Sequence, residues 1–135
     1  MDIGRLAKEQ EQYIIDCRRY LHAHPEVGEH EVETTRYIVG QLEEQGIPVQ
    51  IFEGITGCVA TIEGGQPGKT VMLRADIDAL PMQDRSGVPY ASSVPGVSHA
   101  CGHDGHVAIL LGAGRLLAQQ KSRLTGTIKL LFQPA

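Results

Sequence analysis

Residues 98–106, SHACGHDGH, carry a dense set of potential metal ligands. Three imidazoles, one thiol and one carboxylate fall within nine residues, and they belong to His99, Cys101, His103, Asp104 and His106. In an extended segment His99, Cys101 and His103 would share a face, whereas in a helix the three histidines would align and Cys101 would point away. The two glycines favour instead a tight loop in which side chains converge from several directions. Imidazole, thiolate and carboxylate together suit zinc or a neighbouring divalent transition metal.

Packing alone could account for any one of these side chains, as a surface-loop histidine or as a small buried cysteine. It accounts poorly for all of them together. The spacing differs from that of a structural zinc site, because the stretch has no second cysteine. Only two or three of the side chains could reach one ion, which leaves coordination positions for other ligands or for water. Metal-assisted hydrolysis requires an open position of this kind.

Two carboxylates, Asp76 and Asp78, lie at and just after the end of a short apolar run at residues 70–76. The run predicts a strand that is buried on both faces. In open α/β sheets functional residues gather beyond the carboxyl ends of strands, where both carboxylates would lie. We expect at most one of them to face a metal directly and the other to orient an imidazole or a loop. Ordinary turn chemistry ahead of Pro81 is the alternative explanation.

The elements around these residues predict a strand–helix–strand unit. A broad apolar face at residues 107–121 indicates a helix whose positive end would face the ligand cluster and favour the thiolate form of Cys101. Residues 125–133 form the next strand, which should lie parallel to the strand at 70–76. Residues 82–97 are rich in Ser, Pro and Gly and are predicted to form a long loop. Loops of this length without secondary structure usually have a functional role.

The rest of the chain predicts two amphipathic helices and a strand pair. One helix should span residues 2–22, and a second should span 29–45 with Val32, Ile38, Val39 and Leu42 inward and Gly46 as its stop. The loop at 22–29 is either a solvated helix end or the rim of a site. Strands at 47–51 and 58–63 should pair, with Cys58 in the core and a surface turn at 64–69. Together these elements predict an α/β fold with a mostly parallel central sheet flanked by helices.

Composition excludes several functional classes. The 135 residues carry a formal charge of -4 and 41% hydrophobic residues, with neither a basic patch nor aromatic interleaving, so we expect no nucleic-acid partner. No apolar run approaches the length of a membrane span, and the charged N-terminus is unlike a signal peptide, so we expect no membrane partner and a cytoplasmic location. Three cysteines at unrelated spacings argue against a disulfide framework.

Four separated motifs give the chain a family resemblance. They are RRYLHAHPE at residues 18–26, RADIDALP at 74–81, SHACGHDGH at 98–106 and LFQPA at 131–135. In this order they resemble the N-terminal part of an M20-type metallopeptidase, in the amidohydrolase branch that includes hippurate hydrolases, N-acyl-amino-acid amidohydrolases and plant auxin-conjugate hydrolases. The resemblance implies a zinc-peptidase-like catalytic domain that cleaves the amide bond of small N-acyl amino acids or related conjugates.

The resemblance also implies roles for individual residues. Cys101 and His103 match the family's metal ligands, in a site for two divalent ions, with zinc or manganese favoured and cobalt or nickel compatible. Asp78 matches the catalytic carboxylate, in an orienting or assisting role. Asp76 stands where other branches have a histidine ligand, so both Asp76 and His106 are assigned to the surroundings of the ions or to substrate contact, and His99 is left as a loop residue.

The resemblance covers only part of such an enzyme. Residues 1–135 match the start of the catalytic domain, whereas the family's general base, its other ligands and the lid domain through which homodimers form lie further along. We therefore expect a truncated domain with little or no activity. Two other hypotheses remain: a hydrolase with Cys101 as nucleophile and His103 or His106 as base, and a non-catalytic metal-binding or dimerising fragment.

Overall fold

A computed structural model describes residues 1–135 as one four-stranded sheet with helices packed against it. The elements in chain order are α1 (Ile3–Glu9), α2 (Glu11–Ala23), α3 (Val32–Glu44), β1 (Val49–Phe52), β2 (Ile55–Glu63), β3 (Gln66–Asp76), α4 (His103–Gln119) and β4 (Thr125–Gln133). A single 3₁₀ turn, Lys121–Arg123, links α4 to β4. None of these helices has the length and apolar character needed to cross a bilayer.

The sheet has the order β1-β2-β4-β3 and is mixed. β3 and β4 are parallel, which confirms the predicted strand–helix–strand unit. The expectation of a mostly parallel sheet is wrong, because β1 pairs antiparallel with β2 and β2 pairs antiparallel with β4. Only a connection long enough to cross the sheet gives parallel neighbours. The two residues between Phe52 and Ile55 can form only a hairpin.

β3 differs from its prediction in length and in burial. It begins at Gln66, inside the segment expected to be a surface turn, and its partner on the one paired side is β4. Val71 and Met72 are 55% and 53% exposed, so the expectation of a strand buried on both faces is wrong. The apolar run at residues 70–76 is typical of a central strand. In the structure it lies at the edge of the sheet, and its apolar side chains are exposed.

The helices form where the hydrophobic periodicity predicts them, but they begin and end at different residues. The helix expected at residues 2–22 is interrupted at Gln10, a buried residue whose side-chain amide donates to Gln119. α3 begins at Val32 rather than at 29, where Glu29 has a φ of 68°. Val32 is exposed, contrary to expectation, because it starts the helix on the solvent side.

The core lies between the helices and one face of the sheet. Ile38 and Leu42 of α3 are buried as predicted, and they belong to one apolar cluster with Leu111 of α4 and with the centre of β4. Cys58 on β2 is part of this cluster, which confirms its assignment to the core. Burial raises the pKa of the Cys58 thiol to about 12, so this cysteine stays protonated at neutral pH.

Candidate metal centre

The predicted ligand cluster lies at the carboxyl edge of the parallel pair β3 and β4. β3 ends at Asp76, and the following loop returns to the same edge because Leu80 and Ser98 exchange backbone hydrogen bonds of 2.9 and 3.0 Å. A further backbone pair between Val27 and Ala79 fixes the loop against the segment that follows α2. The long loop therefore places the cluster beside the end of β3. As predicted, residues 82–97 form neither a helix nor a strand.

Part of the cluster is helical. α4 begins at His103, four residues before the expected start at 107, and Gly102 precedes it with a φ of 90°. This left-handed conformation turns the chain sharply, so Cys101 and His99 lie outside the helix. His103 and His106 lie three residues apart on its first turn, and their ring centroids are 5.5 Å apart.

Two carboxylates flank the imidazole of His103. Its Nδ1 lies 2.9 Å from Oδ1 of Asp78, and its Nε2 lies 3.1 Å from Oδ2 of Asp76. The other oxygen of Asp76 lies 2.7 Å from Nδ1 of His106. β3 ends at Asp76, so Asp78 lies beyond the strand, and the two carboxylates reach different nitrogens of the same ring.

The arrangement fits a divalent cation. One ligand atom each from Asp76, His103 and His106 lies within 4.8 Å of the other two. A neutral imidazole has one N–H and one lone pair, so a carboxylate at each nitrogen requires either a second ring proton or a cation between Nε2 and Asp76. Imidazole and carboxylate are ligands that zinc and related divalent metals accept.

Cys101 lies beside this group and contacts it through a backbone atom. Its Sγ is 3.6 Å from the carbonyl oxygen of Asp78, and Nδ1 of His103 is 3.0 Å from the same oxygen. The thiol is half-buried. The loop that carries Asp78 therefore brings Cys101 and His103 together, although the thiol is not one of the three side chains whose ligand atoms cluster.

The carboxyl group of Asp76 is held in its ionised form. Partial burial alone would raise its pKa, but the hydrogen bond from His106 and the charge of His103 outweigh burial and place the pKa below its usual range. The guanidinium of Arg74 also lies 4.0 Å from Oδ2 of Asp76. A carboxylate with a lowered pKa is ionised at neutral pH, and between two imidazoles it suits metal binding better than proton donation.

His99 is a loop residue, as predicted, but it is deeply buried. It is 3% exposed, and neither of its ring nitrogens has a hydrogen-bond partner. Burial lowers the pKa of His99 to about 4, so the ring is neutral at physiological pH.

Sequence reasoning missed a second set of charged residues next to the cluster. Asp104 is 1% exposed and bonds to Arg18 and His22, both on α2. One of the two alternatives predicted for residues 22–29 was a solvated helix end. This is wrong for His22, which lies in the last turn of α2 and is buried. Arg18 and His22 are four residues apart on a predicted helix, which signals a shared face, but the sequence does not show what lies opposite that face.

Comparison with known proteins decides the family. The sequence profile of Peptidase family M20/M25/M40 matches residues 72–135, which include the end of β3, the ligand cluster, α4 and β4. N-acetyl-L-cysteine deacetylase of Bacillus subtilis is 49% identical over 93% of the chain and 30% of that protein. N-acyl-L-amino acid amidohydrolase of Geobacillus stearothermophilus is 42% identical over 99% of the chain and 36% of that protein. The chain belongs to peptidase family M20.

Solved structures agree with this membership. A Bacillus subtilis protein described as a dinuclear metal-binding peptidase from the M20 family superposes with a TM-score of 0.90 and 45% identity, over 95% of this M20 chain and 36% of the other. The resemblance inferred from the four motifs is thereby confirmed. The M20 chain spans about a third of the length of the curated relatives it matches.

Proposed function

We propose that this M20 chain is part of a metal-dependent amidohydrolase that cleaves the amide bond of small N-acyl amino acids or related conjugates. The observation that carries the proposal is the His103 imidazole, which has a carboxylate at each nitrogen and a second imidazole beside one of those carboxylates. Relatives named as an N-acyl-L-amino acid amidohydrolase and as an N-acetyl-L-cysteine deacetylase support the substrate class.

His103 and Cys101 are the proposed ligands within this chain, in a site for two divalent ions. Zinc or manganese is the proposed metal, and cobalt or nickel would suit the same donors. A bound divalent ion polarises the amide carbonyl and makes an attacking water more acidic. In the tautomer whose Nδ1–H donates a hydrogen bond to Asp78, the lone pair of Nε2 of His103 would be free to bind a metal ion.

Asp78 and Asp76 then have different proposed roles. Asp78 orients His103 through Nδ1 and so acts as the assisting carboxylate of the catalytic group. Asp76, with its lowered pKa, remains an anion beside Nε2 and holds His106 through Nδ1. His106, which is exposed, is available for contact with substrate.

Residues 1–135 are proposed to form the N-terminal part of the catalytic domain. The chain spans about a third of its relatives, so the general base and the remaining ligands are proposed to lie in a part of the protein outside these residues. Loss of a general base alone costs roughly 10²–10⁴ in rate, so the isolated chain should hydrolyse amides weakly or not at all. We further propose that the whole protein is a cytoplasmic homodimer, paired through a domain outside residues 1–135.

The geometry favours metal chemistry over a cysteine nucleophile. A nucleophilic cysteine needs a base within hydrogen-bond reach. The thiol of Cys101 instead contacts the carbonyl oxygen of Asp78, at 3.6 Å, while both nitrogens of His103 face Asp76 and Asp78. The imidazole is therefore occupied by carboxylates and not by the thiol.

Metal binding by the purified chain tests the proposal. Isothermal titration with Zn²⁺ should show binding that Cys101→Ala and His103→Ala each weaken by about tenfold or more, because each removes one ligand. Cys58→Ala and His30→Ala remove a buried cysteine and an exposed histidine that are not part of the cluster, and they should leave the affinity unchanged. Equal affinity in all four variants would show that the ion binds elsewhere and would contradict the proposal.

A hydrolysis assay separates the metal enzyme from the cysteine hydrolase. N-acetyl amino acids and hippurate are incubated with the chain and Zn²⁺ or Mn²⁺, and we expect at most slow release of the amino acid. Any turnover by a metal enzyme should disappear with a chelator. Turnover that survives chelation but is lost on stoichiometric alkylation of Cys101 would favour the nucleophile instead.

A further inference from the structure

A buried ion-pair network lies directly behind the first turn of α4, and the proposed function makes no use of it. Asp104, the second residue of α4, is 1% exposed. Its Oδ2 accepts a hydrogen bond from Nε of Arg18 at 3.0 Å and lies 2.7 Å from Nδ1 of His22. A buried carboxylate needs partners of this kind, because an unpaired charge in the interior is strongly unfavourable.

The network continues from α2 into the long loop. Nε2 of His22 lies 3.2 Å from Oδ2 of Asp84, and Nη1 of Arg18 donates to the hydroxyl oxygen of Tyr90 at 3.3 Å. Asp84 also accepts backbone N–H bonds from Ser86 and Ser92. The side-chain hydrogen bond with Ser86, together with these backbone bonds, holds the pKa of Asp84 well below its usual range. The network therefore joins three separate parts of the chain, namely α2, the loop at residues 82–97 and the start of α4.

The start of α4 lacks the usual means of fixing a helix end. The residue before the helix is Gly102, which has no side chain to cap the free N–H groups of the first turn. A first turn without such a cap frays readily. His103 is the first residue of that turn, and Cys101 is two residues before it. Asp104 is the residue of the turn that is anchored to another helix by side-chain bonds.

We propose that Asp104 is a positioning residue that fixes the first turn of α4 against α2, so that His103 and Cys101 are held in a geometry that binds one metal ion. Asp104 acts through the backbone of its own turn, since its bonded oxygen pairs with Arg18 and His22 and not with Cys101 or His103. This inference rests on the proposed function, because it takes Cys101 and His103 as ligands.

Cobalt titration provides a test that separates positioning from stability. Co²⁺ bound by a thiolate gives a near-ultraviolet charge-transfer band, and its visible bands report the coordination geometry. We expect Asp104→Ala to weaken Co²⁺ binding by about tenfold and to reduce the charge-transfer band of the bound ion. Asp104→Asn keeps an oxygen acceptor for Arg18 and His22, so it should recover part of the affinity and part of the band.

Two further variants keep the test decisive. Cys58→Ala destabilises the core away from the cluster, so it should lower the free energy of unfolding while leaving the cobalt spectrum and affinity unchanged. Arg18→Met removes one partner of Asp104 from a side chain that is 38% exposed, so it should fold even if Asp104→Ala does not, and it should weaken Co²⁺ binding by about threefold.

The outcomes distinguish this inference from the function on which it rests. If Asp104→Ala keeps the wild-type affinity and spectrum, the positioning role alone is overturned. If Asp104→Ala does not fold, the same result in Arg18→Met overturns it. If the wild-type chain itself gives no thiolate band with Co²⁺, the assignment of Cys101 as a ligand fails, and the proposed function fails with it.

Discussion

The imidazole of His99 is a neutral ring buried without a hydrogen-bond partner, next to a site built from charged groups. Unpaired polar atoms in the interior are unfavourable, and each calls for an explanation. Protonation would add a buried charge to the same position, and this is why burial lowers the pKa of His99 to about 4 from its ordinary 6.5. The ring therefore links the stability of the fold to pH.

We predict that His99 makes the chain less stable as the pH falls from 6.5 toward 4. In this range the unfolded chain binds a proton at His99 and the folded chain does not, so protonation favours unfolding. The contribution at pH 5 is a loss of about 2 kcal/mol relative to pH 8. Urea unfolding of the metal-free chain at both pH values measures it.

A leucine at position 99 should remove this part of the pH dependence, because it fills a similar volume without a titratable group. His30→Leu is the matched control, since His30 is exposed and its loss should leave the pH dependence intact. The assignment to His99 is mistaken if wild type and His99→Leu lose the same stability between pH 8 and pH 5.

The sequence predicts the residues of the cluster better than their partners. Cys101, His103 and His106 stand out because residue type and spacing are visible in one short stretch. Asp104 is part of the same stretch, but Arg18, with which it pairs, is 86 residues away. The location of that partner depends on how α2 packs on α4, which no local pattern encodes.

At the scale of elements, local patterns predict the strand–helix–strand unit, and long-range pairing decides the rest. The hydrophobic periodicity differs clearly between the two strands, β3 and β4, and the helix α4. The parallel pairing of the strands follows from the length of the connection between them. The antiparallel contact of β2 with β4 joins strands that are far apart in sequence, so no turn residues between them indicate the pairing. The same contact moves β3 to the edge, which an apolar run cannot reveal.

The close approach of β3 and β4 at their starts depends on Gly126. Its φ is 89°, and a Cβ at this position would lie 2.1 Å from the carbonyl oxygen of Lys69. The register of the two strands is irregular at this point, between Gln66 and Thr70. A side chain at 126 would force the backbones of the two strands apart, in the segment that the sequence analysis took for a surface turn.

We predict that Gly126→Ala destabilises the chain by about 2 kcal/mol more than Gly46→Ala. Both glycines have a positive φ, so both variants carry the conformational cost of about 1 kcal/mol for an alanine in that region. Gly46 has open space around it, whereas Gly126 meets backbone. Urea unfolding of the two variants compares them directly, and equal losses would mean that β3 and β4 separate without cost.

At the scale of the whole molecule, the sheet has one long uncovered edge. β3 has eleven residues and β4 on one side only, whereas β1 at the opposite edge has four residues. Val71 and Met72 on β3 are more than half exposed, and Leu73 is 37% exposed. Unpaired backbone groups beside exposed apolar side chains form a template for pairing with another strand.

We therefore predict that residues 1–135, produced on their own, associate through β3. Light scattering after size-exclusion chromatography should show a mass that rises with protein concentration. Val71→Lys places a charge on this edge and should shift the chain toward the monomer, because desolvating the lysine opposes strand pairing. Ile51→Lys is the matched control, since Ile51 is a 66% exposed residue of the other edge strand and its replacement should leave association unchanged. If Ile51→Lys dissociates the chain and Val71→Lys does not, β1 is the edge that pairs, and the length and apolar character of β3 do not govern association.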